Sequence, residues 1–220
     1  GDYSSRGIDE FCKKEDGCCV NVYLLSVVAY TMQTLEIAKN IHWVGVLHAT
    51  LRVFDVVFQT RFGSTYNSYL ILADKPTIID CVHEKFAQEY LEKLRSLINL
   101  KDICYIVVNH TEMDHTGALG LLLKETPNAQ ILSTKTASLF LKNILHRDVK
   151  GKAVEDGESF SLGNKQLKFI HAPYWHWPDT MFTYVEEDRA LFPCDGFATH
   201  FCDERLFDDR VDDFTEDFWH

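Results

Sequence analysis

The chain has 220 residues, 46% of them hydrophobic and 25% charged, which suits one ordinary domain with a buried core and excludes the apolar-poor profile of a disordered segment. Thirty-three acidic residues against 22 basic ones give a formal charge of −11; a surface that tracks phosphates needs the opposite balance, so nucleic acid is excluded as a partner. Seven cysteines with no Cys-x-x-Cys pair and no regular spacing point to a reducing compartment, and the protein is expected to be cytoplasmic.

In chain order, residues 1–35 stand apart from the rest. A polar, cysteine-containing start is followed by an apolar run, Cys18 to Met32, broken by Asn21 and Ser26. That run is shorter than the roughly 20 residues of a membrane span, and no basic segment opens the chain as in a secretory signal. No membrane association is expected, and residues 1–35 are read as an N-terminal extension without an assigned role, ahead of a single domain over 36–220.

From Ile41 short β-branched and aromatic runs predict strands at Ile41–Val46, Val53–Phe58, Tyr66–Leu72 and Thr77–Asp80, an antiparallel meander split by Gly63-Ser64 and Asp74-Lys75-Pro76. Phe86, Tyr90, Leu91, Leu94 and Leu97 then recur at helical spacing and predict a surface helix between Glu84 and Leu100. A wholly apolar strand, Ile103–Val108, is followed by a polar loop, a helix from about Gly117, a strand at Ala129–Ser133 and a helix from about Thr136; strands at Leu167–His171, Met181–Val185 and Ala190–Phe192 close the pattern. The result is a layered α/β fold. The acidic stretch from Asp203 to Asp217 reads as a solvated face.

Chemistry concentrates in Asn109-His-Thr-Glu-Met-Asp-His-Thr-Gly, directly after the buried strand. His110, Glu112, Asp114 and His115 fall within six residues; imidazoles and carboxylates packed that closely at a strand end desolvate and repel one another unless a cation holds them. Nitrogen and oxygen donors without thiolate suit iron, manganese or zinc. Cys104 and Cys194 read as packing residues, while His176, in Trp-His-Trp-Pro-Asp-Thr, and Asp195, in Phe-Pro-Cys-Asp-Gly, are further candidates because each follows an apolar run. Trp175 and Trp177 read as a packing shell, and His171 and His200 as neighbours of the ligand loops.

The spacing His110-x-x-x-Asp114-His115 resembles the metal motif of the metallo-β-lactamase fold, a four-layer αββα sandwich with two metals at its strand ends. With Glu112 where zinc hydrolases of that fold carry His, the sequence is similar to flavodiiron proteins, which reduce oxygen or nitric oxide at a non-haem di-iron centre. Gly63-Ser-Thr-Tyr-Asn-Ser-Tyr-Leu-Ile, His176-Trp-Pro-Asp-Thr-Met-Phe-Thr-Tyr and Asp195-Gly-Phe-Ala-Thr-His extend the resemblance from about Ile37 onward. It implies one iron on His110, Glu112 and His176, a second on Asp114 and His115, and Asp195 bridging them. It further implies FMN on a separate flavodoxin-like domain, a rubredoxin-type or other electron donor, and head-to-tail homodimers. The family's last histidine ligand and its flavodoxin domain have no counterpart before His220, so the chain is expected to be a fragment. Two departures bear on the pocket: Arg52-Val-Phe54-Asp55 replaces a family histidine after Arg-x-Phe, with a proton donor expected to be lost, and Phe201 stands where relatives often carry Tyr. The alternatives are a zinc-dependent hydrolase of the same fold and a non-catalytic di-iron oxygen sensor.

Overall fold

The computed structural model describes residues 33–211; most of the expected N-terminal extension and the end of the acidic tail, with His220, lie outside them. The strands are β1 Leu35–Ala38, β2 Ile41–Trp43, β3 Val46–His48, β4 Val53–Phe54, β5 Phe58–Gln59, β6 Ser64–Tyr66, β7 Tyr69–Ile71, β8 Thr77–Ile79, β9 Tyr105–Val108, β10 Gln130–Ser133, β11 Gly151–Ala153, β12 Ser159–Ser161, β13 Gln166–His171, β14 Met181–Val185 and β15 Ala190–Phe192. The helices are α1 Ala87–Leu97, α2 Met113–Thr116, α3 Leu119–Glu125 and α4 Lys135–Ile144.

A seven-stranded sheet runs β1-β2-β7-β8-β9-β10-β11, antiparallel as far as β8 and parallel from there on. A four-stranded antiparallel sheet runs β12-β13-β14-β15. The period-2 alternation of strands decides the layering. In β9, Ile106 and Val108 join a core with Tyr90, Leu94, Leu119, Leu122 and Leu141 of the helices, while Val107 turns to the other core, against Leu167, Phe169, Met181 and Val185 of the second sheet. Buried on both faces, β9 has to be wholly apolar. The described residues therefore make three layers, helices on sheet on sheet, and the outer face of the second sheet leaves Lys168, Ile170 and Leu191 exposed.

The α1 stripe packs as its spacing predicts, with Tyr90 and Leu94 fully buried, preceded by one 3-10 turn at Glu84–Phe86. Three expected strands are corrected, one of them Tyr66–Leu72, in which Tyr66 ends β6 and Tyr69–Ile71 forms β7 in a different sheet. Ile41–Val46 is two strands, β2 and β3, assigned to different sheets and interrupted at 44–45, where a Cβ on Gly45 would stand 2.2 Å from the Tyr66 carbonyl oxygen. Val53–Phe58 is a hairpin whose turn residues Asp55 and Val56 have φ of 45° and 69°; with Val56 92% exposed, no buried face holds the segment extended. Strands β11 and β12, short and largely exposed, carry no apolar pattern that could have revealed them. β1 begins at Leu35, inside the stretch expected to be extension.

Candidate metal centre

Three loops at strand ends converge. The β9–α2 loop and α2 carry His110, Glu112, Asp114 and His115; the β13–β14 loop carries His176; the turn after β15 carries Asp195. Since β8, β9 and β10 run parallel, their C-terminal ends open on one side, the usual place for a site in such a sheet. The short helix α2 puts Asp114 and His115 on its first turn, and Thr116 Oγ1 donates to the carbonyls of Thr111 and Glu112, closing the loop against the helix.

All six sequence candidates meet. Ligand-type atoms of His110, Glu112, His176 and Asp195 lie within 4.8 Å of one another, as do those of Asp114, His115 and Asp195, so Asp195 belongs to both groups. Glu112 Oε2 is 3.0 Å from His110 Nε2 and 2.9 Å from His176 Nε2. Asp195 Oδ1 is 2.9 Å from His115 Nε2, and its Oδ2 is 3.5 Å from His110 Nε2. His110 is fully buried and His176 half-exposed. The backbone of His176 has a φ of 82°, a strained setting that aims its ring at Glu112 instead of at solvent.

Electrostatics report a cluster short of positive charge. Burial opposes charging His110, yet the neighbouring carboxylates of Asp179 and Glu112 outweigh it and push the imidazole up to about 9. His115 likewise titrates well above the ordinary range, burial being outweighed by Asp114 and Asp195. Glu112 and Asp195, despite burial, are held down at about 2 by the histidines around them. Asp114 is pushed up to about 6, first by burial and then, against His115, by Asp195 and Glu112; its Oδ1 is buried with no hydrogen-bond partner. Three carboxylates and three imidazoles crowded together, one oxygen orphaned, need protons or cations to stay together. Two cations sharing Asp195 fit this donor set, with four protein ligands available to one position and three to the other.

Residues not singled out for a role stand behind the cluster. Asp80 and Asp179 are buried beside His115 and His110, their oxygens 3.7 Å and 3.5 Å from the Nδ1 atoms. Asp80 ends an apolar strand, the same signal that marked Asp195, and Asp179 lies in the Trp-Pro-Asp stretch. Asp55, on the turn between β4 and β5, lies beside Glu112, and the nearness of that second carboxylate raises its pKa. Cys194, beside Asp195, has its thiol pushed up to about 12, chiefly by burial, and turns its Sγ toward the Met181 carbonyl. That is the behaviour of a packing residue.

The cluster forms the floor of an open cavity of about 1440 Å³ walled by Phe54, Phe58, Trp175, Phe197 and His200. Trp177 meets the His110 ring edge-on at 5.1 Å, and Trp175 packs on Phe182 and Phe197. His200 is held by Ser64 at 3.1 Å and by the Phe54 ring. His171 points away, with Nε2 3.1 Å from the Val154 carbonyl oxygen. Phe201 lines the cavity with an apolar ring.

The family model described as ODP family beta lactamase matches residues 65–219. The chain belongs to that family. Over 182 residues it is 42% identical to the flavo-diiron protein FprA2 of Clostridium acetobutylicum, covering 82% of this chain and 46% of that one. With the anaerobic nitric oxide reductase flavorubredoxin of Salmonella arizonae it shares 45% identity over 182 residues, 81% of this chain and 38% of the other. Among solved structures, the flavodiiron protein of Giardia intestinalis superposes with a TM-score of 0.78 at 36% identity, over 81% of this chain and 44% of that one. The rubredoxin oxygen:oxidoreductase of Desulfovibrio gigas superposes with a TM-score of 0.79 at 29% identity, over 82% and 45%. The ODP-family chain thus spans less than half the length of these relatives, and its fold is the metallo-β-lactamase-like one they share. Among the described residues no helix is long and apolar enough to cross a membrane.

Proposed function

We propose that this chain is the di-iron domain of a flavodiiron-type oxidoreductase that reduces O2 to water or NO to N2O with electrons from FMN on a flavodoxin-like domain. The carrying observation is the pair of ligand groups joined at Asp195. His110, Glu112 and His176 would hold one iron and Asp114 and His115 the other, with Asp195 available to both. Iron pairs of this kind supply electrons and an open coordination position to a small diatomic molecule. Glu112, a hard oxygen donor where a zinc hydrolase would place nitrogen, favours iron. The chain's own residues do the rest. Trp177 packs edge-on against the buried His110 ring, and the wide mouth, walled by Phe54 and Phe58, admits a gas and an electron donor. Both reductions consume protons, four for O2 and two for a pair of NO molecules. The relatives named for rubredoxin support a rubredoxin-type donor, and the family's head-to-tail homodimer would bring a partner's FMN to this mouth. Residues 36–220 act as one domain in this reading, in the cytoplasm.

The test is metal content per chain after anaerobic loading with Fe(II) against competing Zn(II), on the wild type and on His110→Ala. About two irons per chain, reduced in the variant, is the expected result. Tight zinc with no iron would replace the oxidoreductase with a hydrolase, and stable reversible O2 binding without turnover would replace it with a sensor.

A further inference from the structure

Both buried histidines of the cluster turn Nε2 toward the carboxylates of the site and Nδ1 back into the protein. Behind each Nδ1 lies a buried aspartate. His110 Nδ1 is 3.5 Å from Asp179 Oδ1, and among the described residues neither atom has a hydrogen-bond partner of its own. His115 Nδ1 is 3.7 Å from Asp80 Oδ2. These aspartates are themselves anchored. Asp179 Oδ2 accepts from Thr111 Oγ1 at 2.7 Å, and its carbonyl accepts from Thr134 Oγ1 at 3.1 Å. Asp80 Oδ1 accepts from the Asn109 backbone at 2.8 Å and Oδ2 from Asn109 Nδ2 at 3.3 Å, while Thr183 Oγ1 donates to Asn109 Oδ1 at 2.6 Å.

Two carboxylates, 0% and 3% exposed, are costly to bury and out of reach of the cavity's contents, so packing alone gives no reason for them. A histidine that offers Nε2 to a cation must carry its remaining hydrogen on Nδ1, and a neutral imidazole free to choose has no strong preference. We infer that Asp179 and Asp80 are positioning residues: each accepts the Nδ1 hydrogen of one histidine, His110 or His115, and so fixes the tautomer and ring angle that present Nε2 to metal. Asp179 does this from the same β13–β14 loop that carries His176, so the backing of one ligand and the position of another move together. The inference rests on the di-iron reading of the site.

The experiment titrates Fe(II), and Co(II) as a spectroscopic stand-in, into the full 220-residue chain against a chromogenic chelator. Wild type, Asp179→Ala, Asp179→Asn, Asp80→Asn and His110→Ala are compared. Asp179→Ala is expected to weaken binding at one position about ten- to a hundredfold, and Asp179→Asn, whose amide oxygen can still accept the Nδ1 hydrogen, to recover part of the loss. In proton NMR of the Co(II)-loaded chain, the exchangeable Nδ1–H resonance of His110 should be slow to exchange in wild type and broadened by exchange in Asp179→Ala. A merely structural aspartate would not move that signal. If Asp179→Ala does not fold, the isosteric Asp179→Asn and Asp80→Asn carry the comparison, with faster Nδ1–H exchange at their own histidine expected. Wild-type affinity and an unchanged resonance in the folded variants overturn the positioning role alone. No metal uptake by wild type overturns the di-iron reading and this inference with it.

Discussion

Raising the pH on the metal-free chain should weaken it in a window set by the buried histidines. In the folded cluster His110 titrates at about 9, against 6.5 when free. A raised histidine contributes stability that is full below pH 6.5 and is lost as the pH climbs through 9. At 1.36 kcal/mol per pH unit, the difference amounts to about 3 kcal/mol, a large fraction of the 5–15 kcal/mol that holds a typical domain together. His115 shifts in the same direction and adds to the fall. Asp114, at about 6, is already mostly ionised at the start of this window and contributes little within it. Cations replace exactly those protons, so metal loading at pH 7.5 should expel about two protons per chain, one from each imidazole. Guanidinium unfolding of the chelator-treated chain at pH 6.5 and 9 measures the first effect, and calorimetric titration in buffers of different ionisation enthalpy counts the protons. Equal stability at the two pH values, or metal uptake with no proton release, would refute the charge assignment of the cluster.

Asp195→Ala removes the one residue common to both ligand groups; occupancy should fall to about one iron per chain or less, read by metal analysis, with any magnetic coupling between irons lost. Glu112→His makes the first group richer in nitrogen and should shift a zinc–iron competition toward zinc by about tenfold or more; an unchanged ratio would remove Glu112 as the metal discriminator. At Gly117 an added Cβ would stand 2.4 Å from the Glu84 backbone nitrogen and 2.6 Å from the Met113 carbonyl oxygen. Gly117→Ala should therefore cost about 1–3 kcal/mol in chemical denaturation and, by displacing α2, weaken metal uptake at Asp114 and His115. Ile106→Ala, in the centre of β9 and fully buried, should cost about 2–5 kcal/mol without changing metal stoichiometry.

The six candidate ligands were legible in the sequence because four crowd into one strand-end loop and two follow other apolar runs, patterns that survive folding unchanged. The α1 stripe and the unbroken apolar β9 were legible for a similar reason: burial on one face or on two leaves a period in the chain. The breaks at 44–45 and at Asp55-Val56 left no such trace, since an interruption inside an apolar run depends on which strand each half can pair with. Asp80 and Asp179 lie 35 and 69 residues from the histidines they back, a distance along the chain over which side-chain chemistry gives no sign of contact. Asp55 read only as the replacement of a family histidine, and the fold alone shows that its carboxyl lies beside Glu112. The sequence by itself determined which chemical groups the site contains, because residue type and strand-end position are local properties. The tertiary structure decided that Asp195 serves both groups, which nitrogen of each histidine faces the cluster and which carboxyls stand behind it, because those depend on distances of a few ångströms between segments the chain does not connect.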